Sequence, residues 1–263
     1  MLDAFEFSQG QSPLLISMPH VGTELTDEVA TKLTDAARLL PDTDWHLPRL
    51  YQQAAQFQPS LIRANYSRYV IDLNRPQDNA PLYQGATTGL FSQTLFSGEP
   101  MWHSPVSEPQ HQWAIESIWQ PYYQQIEDEL ARIKAHFGYA LLFDAHSIAS
   151  EIPYLFAGRL PDLNLGSNQG MSCDPALVQS LSQVCEDSDY SWVHNGRFKG
   201  GFITRHFGRP EQQLHAIQLE MAQAIYMDEQ PPFTYREALA APVSAVIMQM
   251  LKAYLEAAAS LYE

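Results

Sequence analysis

The apolar positions of this chain follow two periodicities, and their alternation predicts the architecture. Leu14 to Met18 is a short, mostly apolar run between Ser-Pro and Pro-His, and it reads as a buried strand. Thr26, Asp27 and Glu28 then supply a cap and first-turn acids for a helix reaching about Leu40. Asp42 to Phe57 reads as a second helix, and Leu61 to Leu73, rich in Ile, Tyr and Val, as extended chain. Residues 75 to 110 are crowded with Pro, Gly, Ser and Thr, a long irregular stretch of the kind that is usually functional or mobile. Ile115, Ile118, Tyr122, Ile126, Leu130, Ile133 and Phe137 recur at spacings of three and four, which predicts a long amphipathic helix with a kink at Pro121. Tyr139 to Phe143 reads as a strand, 151 to 174 as a second long loop, Pro175 to Glu186 as a helix, and Ser191 to Val193 and Ala216 to Leu219 as strands. Pro242 opens a predicted final helix with Val243, Ile247, Met250, Tyr254 and Leu261 on its apolar side. Strands alternating with helices predict an α/β fold, with a sheet covered by helices on both faces. No internal repeat or low-complexity linker divides the chain, so residues 1–263 are expected to form a single domain.

Charge narrows the partners. With 15 Lys and Arg against 30 Asp and Glu, the chain has a formal net charge of −15. Such a surface repels phosphate backbones, so nucleic acid is excluded as an expected partner. An anionic small molecule would need local arginines to reverse the field at its site. The two cysteines, Cys173 and Cys185, fit no zinc-ribbon or redox spacing and are expected as reduced thiols. The first ten residues carry no basic segment followed by an apolar one, and no apolar run approaches the roughly 18 to 20 residues that span a bilayer. A cytoplasmic location without membrane contact is the expectation.

The candidate chemistry sits at strand ends, where open α/β sheets bind ligands. The first strand delivers His20, the third segment Asp72, Asn74 and Arg75, the fourth Asp144 and His146, and the last Glu220. Two histidines and a carboxylate make an open zinc site with water in the fourth position. Zinc lowers the pKa of that water to about 7 and polarises a carbonyl, and a further carboxylate can relay the proton to a leaving amine. Each of these residues also has a bland reading: a strand-end histidine is more often structural, Glu220 could simply pair with an arginine, and Asp72 fits an orienting role for Asn74 and Arg75. Asp144 suits an acceptor for a ligating histidine. His103, His111, His136, His194 and His215 read as structural or solvent-facing.

Two further runs are unusual. Asp42, Asp44 and His46 crowd three ligand types into five residues, where a helix N-terminus would explain one acid. From Asn195 to His206, adjacent Gly200 and Gly201 permit close backbone approach to a ligand, and Arg197, Lys199 and Arg205 supply positive charge, arginine being suited to bidentate carboxylate binding.

At this point the chain resembles the N-formylglutamate amidohydrolase family. The likeness is carried by SMPHVGTEL at 17–25, PDTDWHLPRLY at 41–51, SRYVIDLNRP at 67–76, LFDAHS at 142–147, NGRFKGGFITRHFG at 195–208 and QLEMAQAIYMDE at 218–229. The resemblance implies a mixed, mostly parallel sheet related to zinc carboxypeptidases and the phosphorylase/hydrolase-like fold. It implies zinc-dependent hydrolysis of N-formyl-L-glutamate to formate and L-glutamate, the last step of a histidine degradation route. The alternative it leaves is a related N-acyl-amino-acid deacylase, desuccinylase- or aspartoacylase-like, acting on another acyl group. By likeness, His20 and His146 hold one zinc ion, for which Co2+ or Mn2+ could substitute. Asn74 and Arg75 contact substrate, Glu220 is the general base, and Arg75 helps to hold the oxyanion. The relatives' His-x-x-Glu pair is displaced here, because Glu24 falls one residue too far from His20. Asp44 is therefore the favoured carboxylate ligand, with Glu24 as runner-up. Arg75 and Arg205 are the expected partners of the substrate carboxylates, with Arg68 and Arg197 in reserve. A small anionic acyl-amino acid is the expected partner, and a monomer or small homo-oligomer the expected state.

Overall fold

A computed structural model describes residues 2–81 and 88–263. Seven strands form one sheet: β1 (Phe5–Ser8), β2 (Leu14–Met18), β3 (Ser60–Ala64), β4 (Ala140–Ile148), β5 (Leu163–Gly166), β6 (Trp192–His194) and β7 (Leu214–Ala222). Their spatial order is β1-β3-β2-β4-β7-β5-β6. The four central strands β3, β2, β4 and β7 run parallel, while β1 lies antiparallel to β3 and β5 antiparallel to β7. The sheet is therefore mixed and mostly parallel.

Among the described residues, seven α-helices accompany it: α1 (Asp27–Lys32), α2 (Leu47–Leu50), α3 (Glu108–Ala114), α4 (Gln120–Phe137), α5 (Pro175–Glu186), α6 (Phe202–Phe207) and α7 (Glu237–Tyr262). Side-chain alternation along the central strands builds a core on each face. On one side Leu141, Phe143, Ile217 and Leu219 pack with Leu47 and Leu50 of α2, Leu177 and Leu181 of α5, and Val243, Ile247, Leu251 and Tyr254 of α7. On the other, Ala140, Leu142 and Ala216 pack with Val29 of α1, Tyr122, Ile126 and Ile133 of α4, and Ile203 and Phe207 of α6. Burying each large apolar side chain contributes about 1.5–3 kcal/mol.

Several elements depart from the sequence expectation for identifiable reasons. The helix from Thr26 stops at Lys32, although Thr26 does cap it by accepting from the Val29 amide. Leu33 turns extended to bridge Trp102, and the Thr34 amide donates to the Met101 carbonyl, so the chain is drawn off its helical course. The segment Asp42 to Phe57 is not one helix. His46 takes a left-handed backbone (φ 65°), Pro48 opens the short α2, and a 3-10 segment covers Gln52–Phe57. The extended segment ends at Ala64, after which Ser67 Oγ accepts from the Tyr69 amide and folds 65–73 into turns. In the long helix a π turn at Ile115–Trp119 separates α3 from α4. It immediately precedes Pro121, which lacks an amide hydrogen to close the regular ladder.

Strand β1 was not anticipated, nor was β5, which lies inside the expected 151–174 loop. Strands β4 and β7 run past Phe143 and Leu219, so His146 and Glu220 lie within strands and not beyond them. Helix α7 begins five residues before Pro242 and carries the proline inside it. It is also long and apolar enough to cross a membrane by length and composition, which corrects the reading that no such run exists. Here its apolar side is buried against the sheet. Cys173 and Cys185 are both free and buried, and burial pushes each thiol up to about 12.

Candidate active site

The site grows from the carboxyl ends of the parallel strands. Strand β2 ends at Met18, and two residues later His20 is almost fully buried. The Asp44 amide donates to the His20 carbonyl at 3.0 Å, tying the Asp42–His46 turn to this strand end. That turn is held from the far side as well: Gln223 Nε2 donates to the Thr43 carbonyl (2.9 Å) and the Tyr226 hydroxyl to the Trp45 carbonyl (2.9 Å). In β4 and β7, His146 and Glu220 occupy the same rung of the parallel ladder, with Asp144 and Gln218 one rung-pair below them. Residues two apart share a strand face, so all four side chains emerge on one side.

Three of these side chains converge. His146 Nδ1 lies 3.0 Å and His20 Nδ1 3.8 Å from the same Asp44 oxygen, and the three potential ligand atoms fall within 4.8 Å of one another. The other nitrogen of each ring is held by a carboxylate. His20 Nε2 is 2.7 Å from Asp72 Oδ1, and His146 Nε2 is 3.1 Å from Asp144 Oδ2. With Nε2–H donating to Asp72, His20 Nδ1 is left as a bare lone pair, and this buried atom has no hydrogen-bond partner among the described residues. A buried, unpartnered acceptor aimed at a carboxylate and a second imidazole fits a metal cation and little else. Burial, then the nearby Arg68 charge, lowers the His20 pKa and keeps the ring neutral as a ligand must be. Burial also works against the charged form of His146, but Asp144 and Asp44 outweigh it and hold its pKa well above the usual value. Asp144→Asn should weaken metal affinity about 10–100-fold, because the amide is a poorer acceptor for His146 Nε2–H. Competition against a chromophoric chelator measures this, and unchanged affinity would remove Asp144 from the role.

The Asp42–His46 turn thus divides its ligand types. Asp44 joins the cluster. Asp42 instead accepts from the Tyr69 hydroxyl (2.9 Å) and the Phe96 amide (3.1 Å), and burial pushes its carboxyl up to about 6. His46 Nε2 donates to the Phe233 carbonyl at 2.6 Å. Glu24, the other carboxylate considered, is exposed, its backbone bridges Tyr66, and it is not among the clustered ligand residues.

The cluster opens into a cavity of about 500 Å3, lined also by Arg68, Arg75, Phe96, Arg197, Lys199 and Glu220. Glu220 is buried, and that burial pushes its carboxyl up to about 8, with His146 pulling the other way. Gln218 Nε2 donates to Glu220 Oε2 (3.1 Å), while Gln218 Oε1 accepts from the Gly201 amide (2.6 Å). The Asn74 amide nitrogen lies 3.1 Å from His146 Nε2, and its oxygen accepts from the Ile203 amide. Gly201 has to be glycine here, since a Cβ would stand 2.1 Å from Asn74 Nδ2.

The arginines are distributed unequally. Arg68 is buried, donating to Asp72 Oδ2 (2.7 Å) and the Asp42 carbonyl, and Asp72 is held well below the usual carboxylate range. Burial alone would raise Asp72, but Arg68 and His20 outweigh it. Arg75 spreads over Thr88 Oγ1, the Thr88 carbonyl and the Asn74 carbonyl. Arg197 lies over the Phe156 ring. Arg205 does not line the cavity; it sits on α6 with Nε donating to the Gly200 carbonyl. His206 packs among Tyr123, Phe202 and Phe207, also outside the cavity. Sequence reasoning passed over Gln218 and Phe96, and it noted Lys199 only as part of the positive charge of the 195–206 run. The period-two relation of Gln218 to Glu220 was a usable signal, whereas nothing in the irregular 75–110 stretch singled out Phe96.

Comparison with known proteins finds relatives along nearly the whole chain. N-formylglutamate deformylase of Pseudomonas aeruginosa is 56% identical over 259 residues, covering 97% of each chain. That of Pseudomonas putida is 54% identical, covering 98% of this chain and 97% of its own. Among solved structures, an N-formylglutamate amidohydrolase from Ralstonia eutropha superposes with a TM-score of 0.84 at 22% identity, covering 97% of this chain and 99% of its own. A protein from Agrobacterium tumefaciens gives 0.76 at 14% identity, covering 99% and 97%. These two distant structures share the fold. Residues 12–227 match the N-formylglutamate amidohydrolase family, and the chain belongs to that family.

Proposed function

We propose that this protein is a metal-dependent amidohydrolase that cleaves N-formyl-L-glutamate to formate and L-glutamate. The observation that carries the reading is the buried His20–Asp44–His146 cluster, with a carboxylate behind each imidazole and one ligand nitrogen left bare. The substrate comes from relatives more than half identical over nearly the whole chain. Two nitrogens and one carboxylate oxygen suit zinc, with Co2+ or Mn2+ as substitutes. Bound there, such an ion supplies Lewis acidity toward a carbonyl oxygen and a lowered pKa for water.

The remaining work falls to the chain's own groups. Glu220 in its ionised form accepts a proton from the attacking water and returns it to the departing glutamate nitrogen, and the burial that raises its carboxyl makes it a stronger base than an exposed glutamate. Gln218 keeps that carboxylate aimed by donating to one of its oxygens. Asn74 lies beside His146, and Arg75, which lines the same cavity, is assigned the negative charge that develops on the formyl oxygen. Arg68, Arg75 and Arg197 give the cavity positive character in a chain of net charge −15, as a dicarboxylate substrate requires.

The test is formate release from N-formyl-L-glutamate by purified protein before and after chelation, with metal content measured on the same sample. Release should vanish with the chelator and return with zinc. A metal-loaded protein that releases no formate would overturn the substrate assignment.

A further inference from the structure

Among the described residues, four Lys or Arg line the cavity: Arg68, Arg75, Arg197 and Lys199. The first two already donate to protein acceptors on Asp72, Asp42, Thr88 and Asn74, and the third is exposed and lies over Phe156. Lys199 differs from all of them. It is half-buried, and its ammonium has no ion pair or hydrogen bond among the described residues. Among the described residues, the carboxylates on the cavity wall are Asp44, which belongs to the histidine cluster, and Glu220, which shares a rung with His146. An ammonium on the cavity wall that no protein acceptor claims is available to an anionic group of a ligand.

The backbone beneath Lys199 is fixed, so its reach is limited to the side chain. Its carbonyl accepts from the Asn168 amide at 2.6 Å. The next residue, Gly200, has φ 106°, a left-handed conformation that other residues rarely adopt. Gly200 also presses on Gly166 at the end of β5, where a Cβ would meet the Gly200 nitrogen at 2.4 Å. Just before it, Phe198 packs into an outer apolar cluster with Ile148, Ile152 and Leu160. Lys199 thus lines the cavity between an apolar cluster at Phe198 and a close glycine contact at Gly200.

From this placement we infer that Lys199 binds the side-chain carboxylate of the substrate and sets the preference for an acidic acyl-amino acid. The inference rests on the deformylase reading. The α-carboxylate, one carbon from the scissile nitrogen, must stay near the metal cluster beside Arg68 and Arg75. The side-chain carboxylate extends further along the cavity and needs a separate cation. Lys199 provides it in a form that pairs with a single carboxylate and does not compete for the metal ligands.

The experiment compares N-formyl-L-glutamate with N-formyl-L-glutamine, which has the same shape but a neutral side-chain amide. Lys199→Met should lower kcat/KM for N-formyl-L-glutamate by about 10–100-fold, mostly through KM, the range of a charge-assisted hydrogen bond. It should leave kcat/KM for N-formyl-L-glutamine within about threefold of the parent. Lys199→Arg should recover most of the loss, and metal content should be unchanged in both variants. Equal losses on the two substrates, or no loss on either, would overturn the assignment. A parent enzyme inactive on N-formyl-L-glutamate would instead overturn the functional reading, so the two failures are distinguishable.

Discussion

Glu220→Gln is expected to lower kcat by about 10²–10⁴-fold while metal content stays at the parental level and KM moves only a few-fold, because the amide cannot move the water's proton. Stopped-assay formate release together with elemental analysis reads both quantities. A variant that keeps near-parental kcat would remove Glu220 from proton transfer. The same substitution carries a stability signature in the metal-free protein. Glu220 releases its proton near 4.5 when exposed and near 8 in the folded site. Between those values the folded state holds a proton that the unfolded chain has lost, so stability falls as pH rises through the window. Glutamine escapes this loss. The Tm advantage of Glu220→Gln over the parent should therefore be greatest above pH 8 and shrink toward pH 4.5. An advantage independent of pH would mean that the carboxyl is not held protonated by burial.

Asp44→Ala carries the second large effect. Its oxygen is the shared point between two histidine nitrogens, at 3.0 and 3.8 Å. Without it, metal affinity should drop by more than about 100-fold, beyond what loss of an outer carboxylate brings, and turnover should fall with it. Isothermal titration with zinc measures the first, and formate release at saturating zinc the second. Full occupancy with full turnover would show that Asp44 is not a ligand. Glu24→Ala is the natural control, since Glu24 is exposed and is not one of the clustered ligand residues, and it should leave both unchanged.

The residues of the cluster were legible in the sequence because parallel strands that are buried on both faces read as apolar runs, and ligands gather at their carboxyl ends. His20, His146 and Glu220 all follow such runs. The resemblance added the preference for Asp44, which no periodicity could have isolated from Asp42 and His46. What the sequence obscured was mostly local structure overridden by tertiary contacts. Side chains in the Asp42–His46 turn are committed to Tyr69, Phe96, Phe233 and the cluster, so a helical propensity there is overruled. Strand β1 is a short edge strand with alternating exposure, and β5 is four residues within a polar loop, so neither offers a strong pattern. Arg205 drew attention by its glycine-rich setting, yet a position on α6 turns it toward the back of that loop.

The shared rung of His146 and Glu220 has a consequence for how the protein fluctuates. Both belong to central strands whose amides bond to one another on either side. Amides in such a ladder exchange with solvent only when the whole sheet opens, whereas those of the 149–161 and 195–201 loops exchange through small local openings. Deuterium uptake should therefore separate the site into a slow floor and a fast rim. Stripping the metal should accelerate exchange near the Asp42–His46 turn while the amides of 142–148 and 216–222 keep their protection, leaving the imidazole and the carboxylate at their spacing for the next ion to find.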